Sequence, residues 1–144
     1  MILSGASAYR RTRVQAAHPA QLIVQLYDGA IRFVERAIQG YEDGSLEVMH
    51  ENLMRAQAVV SELRATLNRN VGPVTNDLDR MYDMLSRKLA LANVRNDPNI
   101  AQEVLGYLRE MLSTWQYVAQ KTMGGTVPMP SNRQPGNAGR APVR

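Results

Sequence analysis

The chain has no cysteine, which excludes a disulfide framework, a thiolate-held zinc or iron–sulfur centre and a cysteine nucleophile. No stretch approaches the roughly 18 uninterrupted apolar residues that a membrane-spanning helix needs. The first residues, MILSGASAYRRTRV, offer only Met1, Ile2 and Leu3 before polar residues begin, so they lack the continuous apolar core of a secretory signal. Neither Gly-x-x-x-x-Gly-Lys nor Gly-x-Gly-x-x-Gly occurs, so there is no phosphate-cradling loop. A soluble cytoplasmic protein without membrane insertion is expected.

What is present is an ordinary globular composition: 144 residues, 44% hydrophobic and 21% charged, enough for one domain with a sizeable core. The net charge of +4 is unevenly spread. Arg10, Arg11 and Arg13 lie in the first 17 residues and Arg133, Arg140 and Arg144 in the last 21, while all 13 acidic residues lie between, so residues 18 to 123 carry a formal charge of −2. The body is therefore not a basic surface. A helical bundle that binds nucleic acid through its basic tails remains the alternative reading.

Prolines punctuate the chain. Pro19, Pro73 and Pro98 are the only ones in the body, and each precedes or opens a long helical pattern, as expected where the missing N–H of proline costs nothing. Asp97 and Ser45 stand where N-caps are needed. The spacing predicts helices over Pro19 to Tyr41, Leu46 to Leu67, Thr75 to Asn93 and Pro98 to Thr122. Apolar stripes support three of them: Met49, Leu53, Ala56, Val60, Leu63 and Leu67; Leu78, Met81, Leu85, Leu89 and Ala92; Ile100, Val104, Leu108, Met111, Trp115 and Val118. The first helix is apolar on more than one face, so it must be covered on several sides. Short connections make neighbours antiparallel. The expected fold is all-α, an antiparallel four-helix bundle over residues 18–123, with an N-terminal arm or cap over 1–17 that packs on it and a disordered tail over 124–144, where Pro128, Pro130, Pro135 and Pro142 crowd. Gly40 and Gly72 are expected at helix ends, and Gly29 and Gly106 at close helix contacts.

Chemistry is sparse. Glu47-Val48-Met49-His50 has the Glu-x-x-His spacing of di-iron bundles, but a second copy is missing and His18 is the only other histidine, so a surface pair is the better reading. Neither histidine sits where a catalytic triad would place it. No enzyme activity, cofactor or metal is expected. Met84 and Leu91 fall off the stripe of the third helix, as Val48 and Val59 do in the second, which suggests minor apolar faces forming a groove for an amphipathic segment.

Tyr9 to Val14, then HPAQLIVQLYDGAIRFVERA from His18 to Ala37, RAQAVVSELRATLN from Arg55 to Asn68, NDLDRMYDMLSRKLALAN from Asn76 to Asn93 and the closing Thr114-Trp115 resemble, in order and spacing, the FliS-type flagellin export chaperones. His18 departs from the Ser, Asn or Asp usual before that proline. The resemblance implies a cytoplasmic, non-catalytic chaperone that binds the C-terminal segment of flagellin, prevents its premature polymerisation and delivers it to the flagellar type III export apparatus, where an export gate component is a further expected partner. It also implies an N-terminal arm around Tyr9 that lies over a hydrophobic groove and moves aside for the client; Tyr9 is then the plug, Leu26, Tyr27, Ile31, Tyr82, Leu85 and Leu89 either shape the groove or belong to the core alone, and Asp28 and Asn93 position helices or bind client backbone. A monomer or weak dimer is expected.

Overall fold

The computed structural model describes residues 19–68 and 72–121. Four helices follow one another: α1 (Pro19–Glu42), α2 (Leu46–Ala65), α3 (Pro73–Arg95) and α4 (Pro98–Lys121). No strand occurs among the described residues. The expected arm, with Tyr9, and the expected tail lie outside them.

The ends follow local chemistry. Ser45 Oγ accepts from the Val48 N–H at 3.1 Å and caps α2, and Asp97 Oδ1 accepts from the Asn99 N–H at 2.9 Å at the start of α4, each satisfying an otherwise orphaned donor. Asn96 ends α3 in the left-handed region at φ 53°, with its N–H and that of Asp97 both donating to Ala92 O. α3 begins at Pro73, two residues before the expected Thr75, because proline fits the first turn. The Thr75 side chain is buried and its Oγ1 donates to Asn68 O at 2.9 Å, which ties the α2–α3 connection to α3. α2 stops at Ala65 rather than Leu67, with Thr66 donating back to Leu63 O through both N–H and Oγ1.

Each helix packs on two neighbours in the ring order α1, α2, α3, α4 and back to α1, which leaves α1/α3 and α2/α4 as diagonals. Cross-links run antiparallel: His50 meets Asn96, Gln57 meets Ser86 and Arg64 meets Asp79 as numbers rise along α2 and fall along α3. One core results, with α1 contributing Leu22, Leu26, Tyr27, Ala30, Ile31, Val34, Ala37 and Ile38. That is why its apolar residues fill more than one stripe.

The glycine expectations hold only at Gly72, which directly precedes α3. Gly40 lies inside α1, not at its end, and a Cβ there would stand 2.6 Å from Val48 Cγ1 and 3.1 Å from Met49 N, so this is the close crossing of α1 and α2. Gly29 and Gly106 have nothing within 4 Å of an added Cβ; each turns away from its helix neighbours. Gly44 and Gly72 hold positive φ, 84° and 121°, as the two turns require.

In the middle of the bundle the Tyr27 and Tyr82 hydroxyls are 2.7 Å apart across the α1/α3 diagonal, with ring centroids 6.4 Å apart and tilted 45°. The Trp115 side chain lies close enough to Tyr27 to favour its ionised form slightly, and the Tyr27 hydroxyl donates to Met111 Sδ at 4.0 Å. Burial pushes both phenols up, Tyr82 to about 12 and Tyr27 well above its ordinary value, where the neighbouring Tyr82 adds to the effect.

The core assignments are testable by substitution. In urea unfolding, Gly40→Ala is expected to destabilise by ~1–3 kcal/mol through the forced shift of the α2 backbone, whereas Gly29→Ala is expected to stabilise by ~0.5–1 kcal/mol because it restores helix propensity without a clash; equal effects would refute the packing assignment. For the tyrosines, the folded chain keeps its phenol protons after the unfolded chain has lost them, so the contribution is complete below pH 10 and is lost as pH rises toward about 12. Tyr82→Phe is expected to cost ~1 kcal/mol, and the Tyr27→Phe/Tyr82→Phe double variant less than the sum of the singles. Additive losses in that cycle would show the two hydroxyls to be uncoupled.

Candidate functional site

The four seams of the bundle are held by different chemistry. At α1–α2 the backbones meet over Gly40, and Phe33 lies under the guanidinium groups of Arg36 and Arg55 at 5.8 and 6.0 Å. α2–α3 is a polar lock: Arg64 grips Asp79 through two bonds of 2.6 and 3.1 Å and reaches Asp83 at 3.4 Å, while Arg87 holds Asp83 at 2.8 Å. The hydrogen bond from Arg87 holds the Asp83 carboxyl below its ordinary value, and the bond to Asp79 raises Arg64. At α1–α4, Arg109 donates to Glu35 at 2.6 Å.

α3–α4 is the loosest of the four. Its cross-link is Lys88 to Glu103 at 3.3 Å. With antiparallel helices, that pair sets Leu91 level with Ile100, Met84 with Tyr107, and Met81 with Met111. Met81, Met84, Ile100, Tyr107 and Met111 are all half-buried, packed on the core yet reachable from outside, and Leu91 is exposed. This is an apolar strip rich in methionine, whose unbranched thioethers repack around different partners. Its chemistry suits the apolar face of an amphipathic segment.

The residues expected to shape a groove occupy a different layer. Leu26, Tyr27, Ile31, Tyr82, Leu85 and Leu89 are all in the core, none more than 7% exposed; they lie beneath the seams rather than on them. Asp28 pairs with Arg32 at 3.2 Å within α1, both well exposed, and Asn93 is half-buried one turn before the cap of α3. Of the four residues read as minor apolar faces, Met84 and Leu91 line the α3–α4 seam, Val48 is exposed beside Gly40, and Val59, at 8% exposure, belongs to the core instead. Val59 turns inward because its side of α2 packs on α1. Sequence reasoning placed Met81 and Met111 in the core stripes and passed over Tyr107; the signal available was only their position at the edge of each stripe.

His50 Nε2 is 2.5 Å from Asn96 Oδ1, a helix-end contact between α2 and α3. Among the described residues no group of three or more His, Asp or Glu side chains could hold a metal ion, and no helix is long and apolar enough to cross a membrane.

The family described as flagellar protein FliS matches residues 3–122. The flagellar secretion chaperone FliS of Bacillus subtilis is 36% identical over 114 residues, covering 79% of this chain and 85% of that one. Its counterpart in Salmonella typhimurium is 33% identical over 124 residues, covering 82% and 92%, and that of Vibrio cholerae 32% over 119 residues, covering 77% and 85%. The match spans all four helices and both sides of the open seam, and on that evidence the chain belongs to the FliS family of flagellar secretion chaperones.

Proposed function

We propose that the chain is a cytoplasmic export chaperone that binds the C-terminal segment of flagellin, keeps it from polymerising early and hands it to the flagellar type III export apparatus, where an export gate component would receive the loaded complex. The observation that carries this reading, beyond family membership, is the half-buried strip of Met81, Met84, Tyr107 and Met111 between α3 and α4. A client segment that folds on binding would dock apolar helical anchors there. While bound, it would be withdrawn from the pool able to assemble, which opposes filament growth by mass action.

In this reading Tyr9 is the plug that gives way to client, and Leu26, Tyr27, Ile31, Tyr82, Leu85 and Leu89 set the shape of the bundle surface from beneath. Asp28 and Asn93 would act on helix position. The work is done by binding alone, without catalysis, metal or cofactor, by a monomer or weak dimer. The described residues are net acidic, and nothing among them favours the nucleic-acid alternative.

Calorimetric titration with a peptide spanning the C-terminal segment of the host's flagellin tests the reading. The expected result is binding with a large negative heat-capacity change and little dependence on salt. Met81→Glu and Met84→Glu are each expected to weaken it at least tenfold, since each puts a charge where ~1.5–3 kcal/mol of apolar burial was available. Gln102→Glu, at an exposed position seven residues before Arg109 on the α1 side of α4, serves as the control and should change little. No binding by the intact chain would remove the chaperone function; binding with the methionine variants no weaker than the control would move the client off the α3–α4 seam.

A further inference from the structure

Residues 122–144 follow α4 directly and read TMGGTVPMPSNRQPGNAGRAPVR, with four prolines, three arginines and no acidic residue. Such a segment has no pattern that builds a core. Repeated proline nonetheless favours the extended polyproline II conformation, which docks on aromatic-lined surfaces at low entropic cost.

The outer surface of α4 carries the complementary chemistry. Glu103, Glu110 and Tyr117 recur every seven residues, so they line one stripe of the helix that leads to Lys121 and the start of the tail. Glu103, Gly106, Tyr107 and Glu110 line a shallow depression, open to solvent, along that stripe. Its floor is bare backbone: Gly106 is exposed, and nothing lies within 4 Å of where a Cβ would stand. A glycine inside a helix costs about 1 kcal/mol relative to alanine, and no contact within the bundle uses the space it leaves. Glu110 has no ion-pair partner among the described residues, while Glu103 meets Lys88. Tyr117 is 47% exposed and its ring already faces a cation, the Lys121 ammonium 5.5 Å from the centroid.

We propose that residues 127–135, VPMPSNRQP, fold back and dock along this stripe of α4 in the same chain, with Pro128 and Pro130 against the tyrosine rings and Arg133 between Glu103 and Glu110. The chain length permits it. Gly106 is 15 residues before Lys121, about 22 Å along the helix, and the twelve residues from Thr122 to Arg133 span about 35 Å when extended as polyproline II. Gly124-Gly125 stand where the chain would have to reverse, and glycine takes the required backbone conformations freely. The carboxylates select the only basic residue within that reach, and the bare glycine lets a proline-rich backbone approach closely. The proposal does not rest on the chaperone reading, because its test uses no flagellin, but the two surfaces share Tyr107 at the edge of the α3–α4 seam.

The lack of cysteine makes the test direct, since Ser131→Cys in the full chain gives a single thiol for a nitroxide label. The expected result is selective loss of the amide NMR signals of Glu103, Gly106 and Glu110, with the signals of α2 kept. A mixture of isotope-labelled chain without nitroxide and unlabelled chain carrying it should show no such loss. The signals should return in the Glu103→Gln/Glu110→Gln variant and at high salt, where exposed ion pairs are screened; unchanged α2 shifts in that variant report that the bundle is intact. The proposal is overturned if α4 signals are untouched, if the loss is spread over all faces, if it survives the double substitution, or if it appears in the mixture, which would place the tail on a second copy.

Discussion

One buried hydrogen bond, between the hydroxyls of Tyr27 and Tyr82, joins two helices that otherwise face each other only across a diagonal. Burying two hydroxyls is costly unless each finds a partner. Here each serves the other, and Trp115 and Met111 bring α4 into the same group. Aliphatic stripes alone tolerate a slide or rotation of one helix against another, because leucine is interchangeable with leucine. Rotating α1 or α3 by one residue, about 100°, would carry one tyrosine off the diagonal and leave the other's hydroxyl buried without this partner, at about 1–3 kcal/mol. The tyrosine pair therefore selects one arrangement among several that bury similar apolar area. α2 takes no part in it and is positioned by other means, the Gly40 crossing on one side and the Arg64–Asp79 lock on the other.

With three seams fixed in these ways, the fourth is left to methionine and a single ion pair. Lys88 and Glu103 are partly exposed, and exposed pairs of this kind are worth about 0.2–1 kcal/mol. Opening the seam by a small amount breaks that pair and displaces flexible thioethers, while the Tyr27–Tyr82 bond lies behind them; Met111, 4.0 Å from the Tyr27 hydroxyl, belongs to both. Stability and adaptability are thus largely separated in space: the Tyr27–Tyr82 bond selects the helix arrangement, and Met81, Met84 and Tyr107 can repack around a partner without breaking it.

This separation explains which features could be read from the sequence. Pro19, Pro73 and Pro98, the caps at Ser45 and Asp97, and the 3.6-residue stripes are local signals, and the helices begin and end within two residues of where those signals place them. The glycines inside helices are different, because whether a bare Cα faces a neighbour or solvent depends on helix rotation. Gly40 looked like an end and is a crossing; Gly29 and Gly106 looked like crossings and face open space. Likewise Arg64–Asp79 and Arg109–Glu35 join residues 15 and 74 positions apart, and no spacing rule within one helix shows them. The seam was half legible: Met84 and Leu91 stood off their stripe, whereas Met81 and Met111 sat at its edge, where only the distance to the next helix decides between core and surface.

The dimensions of the seam constrain how a client must be held on the chaperone reading. Its apolar part runs from Leu91 to Met81, ten residues of α3, about 15 Å or three helical turns. An isolated helix that short is marginal in water, and ordering a disordered segment on binding costs about 2–5 kcal/mol. Stable complexes bury about 1,200–2,000 Å² in total, more than three turns in one groove supply. The client must therefore continue past the seam onto further apolar positions, and the exposed side chains beyond the Leu91 end include Val94, one turn away, and Met54 on α2. A segment that crosses α3 from one side to the other wraps the bundle instead of filling a pocket. In such a complex the binding energy is spread over separated sites linked by the client's own chain, so shortening the client at one end weakens binding by more than the apolar area of the removed residues accounts for.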